Sequence, residues 1–382
     1  MGAYMPIVVY ILGVTIFSLT TSEFMVAGIM QSLSDYFEVT AAQVGYLITH
    51  YAIGMVIGGP VLTMMILRMK IPNKTALIFL LIVYGLIQAI VASSTSYEAM
   101  AFFRLMSGVA GAACFGIALA ICTECVDVEH RAKASSVVIG GLMLATVVGV
   151  PIATIIDQKL GWRASFWSVS ILTLLCTIVA SLTVPKTKNH RIISFKEEIF
   201  EFKNKNLWAA YFTSSLIIGS TFSAFSYFSN ILSNVSGLSN AIIPWVFSVY
   251  GVSNVIGNAV VGRYADKYAI SIMFLGLTIL TFAMIALNFF AYNTYIAILL
   301  ITIIGLVGVP MNPAMISRVM NCAYPGALVN TVHTSFINIG LAIGTWLGGW
   351  VISSGYGFLS PLWVGSALAI LGIVTLLPFI KR

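Results

Sequence analysis

Long apolar stretches, separated by short polar segments, recur from one end of the chain to the other. Each has about 20 residues, the length that an α-helix needs to cross a bilayer, whereas the strands of a membrane barrel are about half as long and alternate in polarity. The pattern therefore predicts an all-α membrane protein with twelve transmembrane helices. The predicted spans, numbered 1 to 12 in chain order, are 5–30, 44–67, 75–93, 100–123, 135–156, 164–184, 207–232, 241–262, 271–291, 295–315, 328–353 and 359–380.

One long polar segment, "PKTKNHRIISFKEEIFEFKNKN", divides these spans six and six. It predicts an N-terminal bundle at 1–185, a cytoplasmic linker at 186–206 and a C-terminal bundle at 207–382. The segments "GGPVLTMMILR" and "GNAVVGRYADK" share their leading glycine and a closing cation at an offset of 199 residues. Such a repeat indicates two pseudo-symmetric six-helix bundles, a known route to a transporter.

Composition and charge agree with the membrane assignment and add an orientation. The chain is 59% hydrophobic and 8% charged, with a net charge of +7, whereas soluble domains carry roughly 25% charged residues. With both termini inside, sixteen of the 19 Lys and Arg residues fall on the inner side, Lys159 and Arg163 fall outside, and Arg104 is embedded. This asymmetry follows the positive-inside rule. The cations are spread over many short loops, which disfavours nucleic-acid binding.

Glu23 is the one acid predicted to lie within a span, and an embedded carboxylate costs roughly 2.5–3.5 kcal/mol on insertion scales. Spans 1 and 4 run in opposite directions, so Glu23 and Arg104 are expected at a similar depth in the outer half. Three roles are open for Glu23: a proton carrier, a structural ion pair with Arg104, or a contact for a cationic substrate. Desolvation and a nearby guanidinium act in opposite directions on a carboxyl group, so alternating surroundings favour the proton carrier.

The predicted spans of the second half carry no charge away from the inner surface, where Arg318 is also placed. They offer neutral groups instead, and the candidate substrate contacts are Tyr227, Asn230, Asn254, Asn258, His333 and Asn338. Asn254 and Asn258 share a helix face. Amides in such positions more often cross-link helices, and for His333 a structural hydrogen bond is favoured over proton relay. Phe222, Phe225 and Phe228 are expected to pack rather than to stack on a ligand. Cys122 and Cys125 form a single CxxC, which predicts packing and no metal.

Four motifs in order along the chain resemble the major facilitator superfamily, specifically its twelve-span drug:proton antiporter branch of bacterial sugar and drug efflux permeases. They are "RLMSGVAGAACFG" (104–116), "GLMLATVVGVPIA" (141–153), "GRYADK" (262–267) and "NIGLAIGTWLGG" (338–349). Four motifs on the right spans form a strong signal, although each alone is weak.

The resemblance assigns gating or packing roles to seven residues. Gly108, Gly141 and Gly149 are expected to allow close helix approach, and Pro151 is expected to bend span 5. Gly262 is expected in a tight turn, with Asp266 capping a neighbouring helix and Arg263 at the inner leaflet. After span 2, Thr63 and Leu67 stand where the family's loop motif has Gly and Asp.

The expected function is export of small organic molecules in exchange for protons, by alternating access, in a monomer of the bacterial inner membrane with both termini cytoplasmic. No GxxxxGK[ST] motif occurs in the sequence, so a proton gradient rather than a cofactor is expected to supply the energy. The alternative is a facilitator or proton symporter for a small neutral solute. A membrane-embedded enzyme is disfavoured because the four histidines are dispersed, and a sensor because no sizeable soluble domain is predicted.

Overall fold

The structure, a computed structural model, describes residues 5–127, 131–185, 200–323 and 327–379. Within these residues all regular secondary structure is helical, as the apolar pattern predicts. Residues 186–199 of the predicted linker lie outside the described part of the chain.

The first half of the chain contains the helices predicted as spans 1 to 6. Their bounds are α1 Ile7–Gly28, α2 Met30–Phe37, α3 Ala41–Arg68, α4 Asn73–Ala92, α5 Tyr97–Glu124, α6 Arg131–Leu144, α7 Val150–Leu160 and α8 Trp162–Thr183. The short α2 leaves span 1 at the outer end. A π-helical turn, Ala145–Gly149, joins α6 to α7 within span 5 and immediately precedes Pro151. Proline has no N–H to donate to the preceding turn, so the backbone register changes there.

The second half contains the helices predicted as spans 7 to 12, and several of them are broken. Their bounds are α9 Lys205–Phe225, α10 Phe228–Asn234, α11 Ile243–Phe290, α12 Thr294–Val307, α13 Asn312–Cys322, α14 Ala327–Val351 and α15 Ser360–Leu376. A 3₁₀ turn, Val309–Met311, separates α12 from α13 within span 10. A π-helical turn, Ile352–Tyr356, ends span 11.

Spans 8 and 9 join within the predicted connection, at a kink rather than at an extended loop. The stretch α11 has helical backbone over its 48 residues except at Tyr268, whose φ of −128° and ψ of 29° divide it into two helices. Ser236, before the first of these helices, donates from Oγ to the backbone oxygen of Ala291, after the second, at 2.6 Å, so the chain reverses its direction at the kink.

Ten helical stretches of the described residues are long and apolar enough to cross a membrane. One of them is α11, whose two helices, at 243–267 and 269–290 on either side of the kink at Tyr268, are each long enough to cross a bilayer. The serine- and threonine-rich α9, with 21 residues, is also long enough to cross. The helices are therefore compatible with the twelve predicted crossings.

The outward surface of these helices is apolar, as lipid contact requires. Large side chains such as Leu182, Phe282 and Phe289 are exposed along the helices. Exposed tyrosine and tryptophan side chains gather near the predicted outer ends of the second-half helices, for example Tyr292 and Tyr295. This is the position of an interfacial aromatic belt.

Glycines bring α1 close to α6, and equivalent contacts bring α9 close to α14. A Cβ added to Gly141 would overlap the backbone oxygen of Gly13, and one added to Gly340 would overlap that of Ser215. Gly149 faces Thr21, and Gly348 faces the backbone oxygen of Ser223. The glycines of the second pair of helices lie 199 positions after those of the first, and their partners lie 202 positions after.

The same repetition relates the pair α3 and α5 to the pair α11 and α12. Gly58 faces the backbone of Val109, and Gly257, 199 positions later, faces the backbone of Leu306, 197 positions later. Gly108 faces the backbone oxygen of Tyr51, and Gly305 faces that of Tyr250, with the same two offsets. The packing contacts thus repeat along the chain, which extends the weak repeat seen in the sequence.

The two halves meet at the predicted outer end. The Phe24 ring of α1 lies 5.2 Å from Phe222 and 6.0 Å from Phe225 of α9, measured between ring centroids. Gln158 Nε2 donates to the backbone oxygen of Asn240 at 2.6 Å. Gly251 of α11 packs on the π-helical turn of span 5. These contacts close the outer end of the molecule.

Candidate functional site

Glu23 and Arg104, the acid and the cation predicted to be embedded in the outer half, lie side by side. The Arg104 guanidinium donates from Nη1 to the backbone oxygen of Ser22 at 2.8 Å and to Ser22 Oγ at 3.3 Å. Its Nη2 donates to the backbone oxygen of Glu23 at 3.1 Å. The two residues are thus at one depth, as the opposite directions of spans 1 and 4 predict, and the guanidinium holds the backbone of α1 beside the carboxyl group.

The Glu23 carboxyl group forms no hydrogen bond or salt bridge with any residue that the structure describes. The residue is 9% exposed, so it is buried but not completely enclosed by the described residues. The carboxyl group is therefore not held in an ion pair with Arg104.

Two tyrosines complete the surroundings of Arg104. Its Cζ atom lies 4.4 Å from the centre of the Tyr51 ring, a cation–π distance. The Tyr51 hydroxyl lies 3.2 Å from that of Tyr84, which donates to the backbone oxygen of Leu19 at 3.3 Å. The ring and the backbone oxygens replace part of the water that the buried cation has lost, while its Nε has no hydrogen-bond partner among the described residues.

Tyr227 and Asn230, two predicted substrate contacts, are buried in the outer part of span 7. The Tyr227 hydroxyl donates to the backbone oxygen of Thr345 at 2.9 Å, which ties α14 to the break between α9 and α10. The Asn230 side chain is almost fully enclosed, and its Oδ1 accepts no hydrogen bond from the described residues. Tyr227 thus has a clear packing role, whereas Asn230 retains an unused acceptor.

Asn254 lies one turn from Tyr250 on α11. Asn254 is 1% exposed, and neither its Oδ1 nor its Nδ2 has a hydrogen-bond partner among the described residues. The Tyr250 hydroxyl is also fully enclosed and lies near the Asn254 side chain, without a hydrogen bond of good geometry to any described residue. Asn258 is half-buried on the same face. The structure therefore brings two polar side chains together with none of their polar atoms satisfied.

His333 and Asn338 have partners within the second half. His333 Nε2 lies 2.9 Å from Ser214 Oγ, and its ring stacks on Tyr211 at 5.7 Å. Asn338 Nδ2 donates to the backbone oxygen of Thr334 at 3.0 Å. Both side chains are buried. These contacts hold the two side chains in place within the helix packing.

The motif residues fall into two groups. Gly108, Gly141 and Gly149 lie where helices approach closely, and Pro151 follows the π-helical turn of span 5. The motif at 262–266 lies at the end of the first helix of α11, just before the kink at Tyr268.

Gly262 is not in a tight turn, since a Cβ added there would meet open space. Arg263 lies over the neighbouring Tyr264 ring at 5.9 Å. Asp266 is exposed and caps no helix in the described part of the chain. The change of direction lies further along the chain, at Tyr268.

Arg318, predicted near the inner surface, is buried within the protein close to the ends of its helix and of the last helical segment. It is 4% exposed, and its Nη1 donates to Thr213 Oγ1 at 2.8 Å. Its Cζ lies 4.7 Å from the Phe379 ring, and its Nη2 has no partner among the described residues. The Thr213 hydroxyl and the Phe379 ring replace part of the lost hydration. The second half therefore contains a buried cation that the sequence pattern did not indicate.

The sequence did not single out Tyr51, Tyr84, Tyr250 or Phe24 as site residues. The positions of Tyr51 and Tyr250 are detectable, because they lie 199 residues apart, at the offset of the internal repeat. Phe24 adjoins Glu23 in the chain, which marks it once Glu23 is recognised. Nothing in the sequence pattern identifies Tyr84.

The fold and the site geometry together define a polytopic membrane transporter. The model of the Major Facilitator Superfamily matches residues 12–332, and the chain belongs to this family. Among curated relatives, the "Chloramphenicol resistance protein" of Streptomyces lividans is 24% identical and covers 98% of this chain and 96% of its own length. The "Inner membrane transport protein YdhP" of Escherichia coli K12 is 27% identical, with coverages of 97% and 94%.

Solved structures show the same fold. A bacterial homologue of the human lysosomal transporter Spinster, in an inward-facing and unoccupied conformation, matches with a TM-score of 0.72 and 14% identity over 99% of this chain and 96% of the other. The nucleoside transporter NupG matches with a TM-score of 0.76 and 16% identity over 99% and 100% of the two chains. The predicted major facilitator fold is confirmed.

Proposed function

We propose that this chain exports small neutral or weakly amphipathic organic molecules in exchange for protons, by alternating access. The observation that carries the proposal is the Glu23 carboxyl group, embedded in the membrane region, partly accessible and without an ion pair to the adjacent Arg104. An ionisable group at this depth is a functional site by default. A fixed structural ion pair would instead lock the carboxylate to the guanidinium.

The closed outer end supports alternating access. Phe24, next to Glu23, contacts Phe222 and Phe225 across the two halves. Toward the predicted inner end, Gly116 and Gly140 meet no neighbouring atoms. We infer that the molecule is in an inward-open state in which Glu23 exchanges its proton with the inner side. Opening of the outer contacts would then expose Glu23 to the outer side.

Export of an amphenicol-like compound is the direction and substrate class that the relatives favour. The relative from Streptomyces lividans is named for chloramphenicol resistance and is similar over nearly its whole length. Chloramphenicol is neutral and carries an aromatic ring with hydrogen-bonding substituents. Such a molecule suits a region with one acid, one arginine and many neutral polar groups.

The proposal includes the arrangement of the two bundles, their orientation in the membrane and the source of energy. The bundles at 1–185 and 207–382 would rock about a central site, joined by the cytoplasmic linker at 186–206. Both termini would be cytoplasmic in the bacterial inner membrane, as the positive-inside charge distribution favours. The protein would act as a monomer with no cofactor, powered by the proton gradient.

Purified protein in liposomes, with a pH-sensitive dye inside, tests the exchange. Addition of chloramphenicol is expected to drive proton flux in the wild type, and an imposed pH gradient is expected to drive uphill chloramphenicol movement. Glu23→Gln should abolish both and retain gradient-independent counterflow, because only the titrating group is lost. Direction follows from whether drug and proton move oppositely.

Glu98→Gln is the matched control, because Glu98 is exposed at the outer end of α5. This variant removes one acid near the same membrane face and should retain proton-driven transport. Unchanged proton flux in Glu23→Gln would overturn the proposed coupling. Drug and proton movement in the same direction would favour the symporter instead.

A further inference from the structure

Three buried polar atoms without partners mark one place in the second half. They are the Tyr250 hydroxyl oxygen and the Oδ1 and Nδ2 atoms of Asn254, all enclosed within the described residues without a hydrogen bond. Leaving such groups desolvated and unpaired is unfavourable, and native structures avoid it. We therefore expect a bound ligand, or another conformation of the protein, to supply hydrogen bonds to these atoms.

Helix packing does not require the polar atoms. By the repeat, Asn254 occupies the position of Met55, which is 199 residues earlier and apolar. Tyr250 occupies the position of Tyr51, and both backbones contact a glycine of the neighbouring helix. The Tyr51 hydroxyl, however, has the Tyr84 hydroxyl 3.2 Å away, whereas the Tyr250 hydroxyl has no partner. The helix packing of the second half therefore does not depend on the polar atoms of Tyr250 and Asn254.

The repeat also shows how the charged site of the first half is replaced. Position 225, 202 residues after Glu23, is a phenylalanine, and position 301, 197 residues after Arg104, is an isoleucine. The Phe225 ring lies 5.1 Å from Tyr250, and Phe228 lies 5.7 Å from it. The second-half counterpart of the acid and arginine is therefore an uncharged aromatic surface with hydrogen-bonding groups at its edge.

We propose that Tyr250 and Asn254, with Phe225 and Phe228, form the subsite that recognises the substrate, and that it takes a neutral aromatic ring with polar substituents. The rings stack on the ligand in offset or edge-to-face geometry, and the hydroxyl and amide bind its polar substituents. This inference rests on the proposed transport function and names the substrate class of that site.

The subsite adjoins the outer contact between the halves. Phe225 touches both Tyr250 and Phe24, and Phe24 follows Glu23 in the chain. A ring inserted between Phe225 and Tyr250 must move the Phe225 ring against Phe24. Occupancy of the subsite is thereby linked to the segment that carries the proposed proton site.

Equilibrium dialysis on the purified full-length protein, without any gradient, tests the subsite. The probes are chloramphenicol, thiamphenicol and para-nitrophenyl glucoside, which are neutral and aromatic, and tetraphenylphosphonium as a cation. The wild type is expected to bind at least one neutral probe. Asn254→Leu, of similar size, should weaken that binding about tenfold or more, and Tyr250→Phe about 3- to 10-fold, the range for lost ligand hydrogen bonds.

The melting temperatures of the variants distinguish a role of Tyr250 and Asn254 in ligand binding from a role in the stability of the protein. Both variants remove unsatisfied buried atoms, so the ligand-free protein should melt at the same temperature or higher. Tyr292→Phe, at an exposed tyrosine, is the control and should change neither property.

Three results would overturn the inference: no binding of any neutral probe by the wild type, unchanged affinity in both variants, or a lower melting temperature with unchanged affinity. Binding is measured without protons moving, so a failure of proton coupling in liposomes leaves this test intact.

Discussion

At the scale of single residues, the geometry of Arg104 depends on the shape of the guanidinium. Its two terminal nitrogens donate to the backbone oxygens of Ser22 and Glu23 while its plane covers the Tyr51 ring. A lysine ammonium is a compact point charge without this fork. The side chain therefore positions α1 through three contacts that lysine cannot reproduce together.

Arg104→Lys is accordingly expected to lower proton-driven transport about tenfold or more while the protein remains folded. The charge is kept, so loss of activity would report geometry rather than electrostatics. Proteoliposome transport and the elution profile of the purified protein measure the two properties. Arg163→Lys, at an outer arginine that also lies over aromatic rings, is the control and should retain transport. Full activity in Arg104→Lys would contradict the positioning role.

The charge pattern singled out the buried charges Glu23 and Arg104 of the first half, but it did not indicate that Arg318 of the second half is buried. Glu23 and Arg104 lie far from the ends of their apolar runs, so their depth follows from the sequence. Arg318 lies near a span end, where a long side chain usually reaches the surface. Its burial depends on Thr213 and on Phe379, which are 105 and 61 residues away in the chain. No local pattern encodes contacts between residues so far apart.

At the scale of helices, the length of the apolar stretches predicts where helices occur. The breaks within the helices are harder to predict from the sequence. The connection expected after Gly262 is present only as a kink at Tyr268, which has no neighbouring glycine or proline. By contrast, the π-helical turn before Pro151 follows from local sequence, since proline removes one backbone donor. The polar stretch thus indicates where the chain turns, but it does not show that the turn is a kink between two helices.

Two adjacent glycines on α6 offer a direct test of the helix packing. Gly141→Ala would place a methyl group against the backbone oxygen of Gly13, whereas Gly140→Ala would place it in open space. Overpacking typically costs about 1–3 kcal/mol, so Gly141→Ala should lower the melting temperature of the purified protein. Gly140→Ala should leave it unchanged or raise it, since alanine favours a helix over glycine by up to about 1 kcal/mol. Equal effects of the two changes would refute the predicted close approach.

At the scale of the whole molecule, the repeat gives both halves one packing scheme with different chemistry. The first half places an acid and an arginine where the second has Phe225 and Ile301. Both sites adjoin the Phe24 contact that closes the outer end. Separation of the halves at this end would expose both sites together. The transport cycle therefore requires the outer contact to open.

Locking that contact is expected to stop transport. Gln158 and Asn240 are exposed, belong to different halves and are joined by a 2.6 Å hydrogen bond at the outer end. Cysteines at both positions, joined by a short thiol-reactive cross-linker that a reductant cleaves, should reduce transport to background, because the outer end cannot open. Reduction should restore it. Cysteines at Gln31 and Asp35, joined within α2 alone, are the control and should leave transport intact. Full transport by the cross-linked Gln158 and Asn240 pair would show that the substrate leaves by a path other than the outer end, and alternating access between these two halves would then fail.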